Sequence, residues 1–111
     1  MKNIFSINLE NTQRNYTVRD LIELKGKKQL TQINVSTPEE AAAAQEAKID
    51  LIIAPPTGDI MKIRNYADKT FLTVGIPFLK YENKDKITKK AFELIEIGVD
   101  SIHCGSWNLD F

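Results

Sequence analysis

Two stretches of the chain, Ile49 to Pro55 (IDLIIAP) and Thr70 to Ile76 (TFLTVGI), are apolar at nearly every position and show no alternation between faces. Such runs suit strands buried on both sides, as in a parallel sheet covered by helices. Gln29 to Val35 (QLTQINV), with Leu30 as its first large apolar residue, and Val99 to Ser106 (VDSIHCGS), broken by Gly105, read as two further strands.

The intervening segments carry helix signals. Thr17 caps TVRDLIELKGKK, with Asp20 in the first turn, apolar Val18, Leu21, Ile22 and Leu24, and Gly26 as a stop. Ser36-Thr37-Pro38-Glu39-Glu40 sets a hydroxyl, a proline and two acids ahead of an alanine run, which predicts a helix over PEEAAAAQEAK. GDIMKIRNYAD predicts a third helix. KITKKAFELIEIG predicts a fourth, with Ile87, Phe92, Ile95 and roughly Ala91 on one face and Gly98 closing it. Residues 1–16 are polar, rich in Asn and without sustained periodicity, and predict an N-terminal arm, leaving 17–111 as one (β/α)4-like domain.

The order is helix, then β-α-β-α-β-α-β, an α/β class with right-handed parallel crossovers. Two architectures fit: a parallel sheet like the first half of a (β/α)8 TIM barrel, or a small open doubly wound, flavodoxin-like sheet. In both, function-bearing positions lie at the carboxyl ends of the strands. Those ends read Asn34-Val35-Ser36, Ala54-Pro55-Pro56-Thr57, Gly75-Ile76-Pro77-Phe78 and His103-Cys104-Gly105.

Composition narrows the function classes. Over 111 residues, 15 basic side chains balance 15 acidic ones, so no positive field gathers phosphates and nucleic acid is not an expected partner. The short basic stretches Lys25 to Lys28 and Lys84 to Lys90 read as solvated surface. One cysteine and one histidine do not make a zinc site, and a single thiol suits a reducing cytoplasm. No apolar run approaches the roughly 18 residues of a membrane span, and NIFSINL is far short of a signal-peptide core.

VGIPFLKY, Val74 to Tyr81, resembles the signature after the third strand of the ketopantoate hydroxymethyltransferase (3-methyl-2-oxobutanoate hydroxymethyltransferase) family, in which an aspartate precedes Pro-Phe-x-x-Tyr. LKGKKQLTQINV resembles the family's entry into its first strand and IDLIIAPPTG its second strand. ELIEIGVDSIHCGS resembles the helix and fourth strand that end in Lys-Leu-Glu-Gly. The likeness runs from about Thr17 to Trp107, around the first half of a family member. It implies a barrel of the phosphoenolpyruvate/pyruvate superfamily, pantothenate biosynthesis, and magnesium with methylene-tetrahydrofolate as cofactors if family activity is retained. The metal polarises an α-keto acid for attack on the one-carbon unit.

Laid on this sequence, Pro55-Pro56 fall at the family's first Asp-Ser pair and Gly75 at its second aspartate. His103 falls at its lysine and Gly105 at its glutamate. No metal ligand is expected here, and the base the family places in its second half has no counterpart in these residues. His103 is the candidate catalytic residue, as hydrogen-bond donor or base. Asn34, Thr57 and Gly75 are candidate substrate-binding positions, Thr57 by presenting a helix N-terminus to an anion. Alternation sets Ser101 and His103 on one face and Ile102 and Cys104 on the other, so Cys104 packs under a helix. Trp107, Leu109 and Phe111 predict an apolar tail that buries against a partner.

Four parallel strands cut from a barrel leave two open edges, so a homo-oligomer or a complementary half-barrel chain is the expected partner. Three functions fit: a degenerate half-barrel acting as a binding or partner subunit, an active transferase or carbon-carbon lyase completed by a second chain, or a small interaction domain.

Overall fold

Thr17, Thr37 and Asp59 each hold a non-helical backbone and accept, through a side-chain oxygen, the N–H three residues on, from Asp20, Glu40 and Lys62. These caps start α1 (Val18–Glu23), α2 (Pro38–Glu46) and α3 (Ile60–Tyr66); α4 spans Lys84–Ile97. The structure, a computed structural model, describes residues 1–5, 9–76 and 84–104. The Pro77-Phe78 corner, Gly105 and the Trp107 to Phe111 tail lie outside the described residues.

The central sheet holds β3 (Gln32–Asn34), β4 (Leu51–Ala54), β5 (Phe71–Ile76) and β6 (Ser101–Cys104), in the order β3-β4-β5-β6 and parallel throughout. A doubly wound sheet would permute that order; chain order is what successive barrel strands show. Helices α2, α3 and α4 gather on one face of the central sheet. Ala41 and Ala44 of α2, Ile60 and Ile63 of α3, and Ile87 and Leu94 of α4 join Ile52, Leu72 and Val74 in one core cluster. Alanine at both buried positions of α2 removes side-chain bulk between helix and sheet.

Two of the four connections from helix to strand use the same turn. Lys48 (φ 61°) and Gly98 (φ 107°) take positive φ just past α2 and α4. The next residues, Ile49 and Val99, donate backbone N–H to Ala44 and Leu94 carbonyls at 3.0 and 3.2 Å, the Schellman pattern with an apolar residue turned into the core. An aspartate follows each, Asp50 and Asp100.

Two expectations need correction. The segment read as an arm contains an antiparallel ribbon, β1 (Lys2–Phe5) paired with β2 (Asn11–Arg14). Its two apolar residues, Ile4 and Phe5, are neighbours on opposite faces, so no apolar alternation announces it. On α4 the buried stripe is Ile87 and Leu94, with Ala91 packed against the core, whereas Phe92 and Ile95 are 57% and 39% exposed. At 100° per residue Phe92 sits about 140° from Ile87, on another side of the helix.

Candidate functional site

Pairing register and strand alternation sort the sheet into two faces. Ile52, Ala54, Leu72, Val74, Ile76, Ile102 and Cys104 belong to the helix side. The helix-free face is built from Gln32, Asn34, Leu51, Ile53, Phe71, Thr73, Gly75, Ser101 and His103. None of these is an Asp, Glu, Lys or Arg. Asn34, Ile53, Thr73 and Ser101 form one row across the four strands, and Gly75 and His103 stand opposite each other one row nearer the carboxyl ends.

Three of the four candidate positions therefore share one face. Asn34 and His103 are exposed and Gly75 is half-buried. Among the described residues no side chain hydrogen-bonds the His103 imidazole. A methyl group added at Gly75 would meet nothing within 4 Å, so the space above the His103 partner position is open. Cys104 is half-buried against the core on the opposite face, where the imidazole does not reach it.

Thr57 is exposed in the turn between β4 and α3, beyond the carboxyl end of β4. The cap of α3 is already taken: Asp59 accepts the Lys62 N–H at 3.1 Å. Its neighbour Gly58 lies against the other loop: a Cβ there would stand 3.4 Å from the Ser36 carbonyl oxygen, an ordinary van der Waals contact. The β3–α2 and β4–α3 turns thus touch at the strand-end rim.

The amino ends of the strands are a bonded floor that sequence reading missed. Asp100 accepts from Arg14 Nε and Arg64 Nη1 at 2.9 Å each and from the Leu72 N–H at 2.9 Å. Arg14 Nη1 also reaches the Asp68 carbonyl, and Arg64 Nη2 those of Ala67 and Thr70. Both guanidiniums are buried, while Arg64 Nε has no partner. Burial pulls the Arg64 pKa down to about 10, with Asp100 opposing and Arg14 adding to the fall. Asn15 donates to the Asp50 carbonyl and accepts the Phe71 N–H. Burial raises the Asp50 pKa, but the Thr31 N–H and hydroxyl, the Tyr16 hydroxyl and Lys28 outweigh it and hold the carboxyl below its ordinary value. Apart from the bonds of Arg64 to Ala67 and Thr70, these contacts join distant segments, so no local signal marks the floor.

A cavity of about 430 Å³ also lies at this floor, lined by Asn15, Tyr16, Gln45, Lys48, Asp50 and Thr70 among others. Its amides and carboxylate are spent on the fold: Gln45 bridges Asp68, the Lys69 N–H and Thr70. We therefore place the candidate site at the opposite, carboxyl edge, where no described residue takes up the side-chain donors.

The described residues at that edge do not fit magnesium. The ion takes oxygen ligands, usually with one or two carboxylates. After β4 the chain offers Pro55-Pro56-Thr57-Gly58, and β5 ends in Gly75-Ile76. The nearest acid along the chain, Asp59, is engaged as a cap. Among the described residues no three His, Cys, Asp or Glu side chains converge as a metal cluster. The edge instead offers an imidazole, an amide and the hydroxyls of Thr73 and Ser101, beside the apolar Ile53. Among the described residues no helix is long and apolar enough to cross a membrane.

No family model matches the chain, and no solved structure matches it. A curated protein, the 3-methyl-2-oxobutanoate hydroxymethyltransferase of Kosmotoga olearia, is 27% identical over 106 residues, covering 77% of this chain and 40% of the relative. The chain therefore spans less than half the length of the curated relative it matches. The likeness is a distant relationship to the hydroxymethyltransferases, on a four-stranded parallel α/β sheet in chain order.

Proposed function

We propose that this chain is a hydroxymethyltransferase-like half-barrel that binds a short α-keto acid at the carboxyl edge of its sheet without a metal ion, as a binding or partner subunit. The observation that supports it is the pairing of Gly75 with His103. The positions where the resemblance calls for oxygen ligands bear none, while imidazole, amide and hydroxyl donors remain on the same face. Asn34 and His103 supply hydrogen bonds to a carboxylate, and Ile53 an apolar wall for a branched alkyl group. Neither magnesium nor a folate donor enters this reading.

Calorimetric titration of 3-methyl-2-oxobutanoate tests it, once in EDTA and once with magnesium. Equal binding in both, lost on His103→Ala, is the expected result. Absence of binding in both, or binding that appears only with magnesium, overturns the reading; the second outcome would return the chain to the metal-dependent transferases.

A further inference from the structure

Gln45 holds the backbone of two lysines at the mouth of the floor cavity. Its carbonyl accepts the Lys48 N–H at 3.0 Å, and its side-chain oxygen accepts the Lys69 N–H at 2.8 Å. Both lysines line the cavity and both are exposed. Among the described residues no carboxylate lies within ion-pair distance of either ammonium.

Lys48 also stands where the backbone disfavours a side chain. The matching turn after α4 uses Gly98, whereas α2 is followed by a lysine at φ 61°. Backbone strain of this kind concentrates at ligand-binding positions, and here the strained residue lines a cavity.

The remaining walls suit a ligand with an apolar body rather than a bare ion. Ile49 and the Tyr16 ring line the same cavity, and the ring is fixed through its hydroxyl, which donates to Asp50 at 3.1 Å and accepts from Lys28 at 3.3 Å. Asp50, the one acidic residue among the described lining groups, is occupied by the Thr31 N–H and hydroxyl, and Lys28 offsets its charge. The two lysine charges are left unanswered. A volume of about 430 Å³ falls within the range of small-molecule sites, about 300–1,000 Å³.

We infer that this cavity is a second binding site, for a phosphate monoester with an apolar body, its phosphate held by Lys48 and Lys69 and its body by Tyr16 and Ile49. Lysine is a compact point charge without the planar fork by which arginine grips a carboxylate. Two of them match a phosphate group, which carries about −1.5 to −2 near neutrality. The cavity lies at the amino ends of the strands, away from the keto-acid edge, and does not rest on that reading.

Calorimetric titration of phenyl phosphate into the whole chain tests this, with inorganic phosphate at the same ionic strength for comparison. Phenyl phosphate is expected to bind about tenfold more tightly than inorganic phosphate, through burial of the ring. Lys48→Gly and Lys69→Gln are each expected to weaken phenyl phosphate about tenfold, and Lys48→Arg, which keeps the charge, to retain it. Without ligand, Lys48→Gly is expected to melt at or above the wild-type temperature, since glycine relieves the backbone, so its weaker binding is not a loss of fold. Absence of phenyl phosphate binding, equal affinity for the two phosphates, or binding unchanged by either lysine substitution overturns the inference.

Discussion

Arg14 and Asp100 are 86 residues apart in the chain, yet the Arg14 Nε donates to the Asp100 carboxylate at 2.9 Å in a buried setting. Through this contact the amino-terminal ribbon is fastened to the start of the last sheet strand. Asp100 also holds Arg64, so one carboxylate compensates two buried guanidiniums. Asp100→Asn is expected to destabilise the fold by about 3–5 kcal/mol, the usual cost of removing one partner from a buried pair. Urea unfolding of the two proteins measures it; a loss under about 1 kcal/mol would mean that the guanidiniums find water instead.

The paired Schellman turns make a prediction of opposite signs. Lys48 sits at φ 61°, where a side chain is disfavoured, and Lys48→Gly is expected to stabilise by up to about 1 kcal/mol. Gly98→Ala is expected to destabilise, because φ 107° suits glycine and the new methyl would approach Arg64 Cδ to 3.4 Å. Thermal melts of both variants read the difference.

The packing of α4 is tested by two truncations. Leu94 is fully buried, and Leu94→Ala is expected to cost about 2–5 kcal/mol, transfer and cavity together. Phe92→Ala, on the exposed side, is expected to change stability by no more than about 0.5 kcal/mol. Equal losses would put Phe92 under cover in the assembled protein.

What the sequence makes legible divides by range. Ile52 and Leu72 lie in runs apolar on both faces, and Thr37-Pro38-Glu39 spells out a helix start, so β4, β5 and α2 were readable from neighbours alone. The place of Cys104 under the helices followed from alternation in the same way. The β1–β2 ribbon was not readable, since LysAsnIlePhe and AsnThrGlnArg have no apolar face; what holds its end is Arg14, whose partner lies 86 residues on. The α4 face was not legible from side-chain size, since Phe92, though large, stands about 140° around the helix from Ile87. At the candidate site, the shared face of Asn34, Gly75 and His103 followed once the strand order was known, while the bonded floor had no local signature.

Stability should also depend on pH through Asp50. Its carboxyl titrates below the ordinary range in the folded chain, owing to Thr31, Tyr16 and Lys28 acting against burial. The unfolded carboxyl titrates near about 3.9. The folded state thus holds the charged form more strongly: its contribution is full above the unfolded value and is lost as pH falls through the lower, folded one. The difference in Tm between wild type and Asp50→Asn is therefore expected to be constant near neutrality and to shrink below about pH 4. A difference that grows with acid would reverse the assigned sign.

The central claim is the proposal that the carboxyl edge of the sheet binds its keto acid without a grip on a divalent ion. Manganese, a paramagnetic stand-in for magnesium, reads that directly by electron spin resonance in the presence of 3-methyl-2-oxobutanoate. The account predicts that the full free-ion signal persists as protein is added. A signal that falls with protein, and recovers when magnesium is supplied in excess, would contradict it.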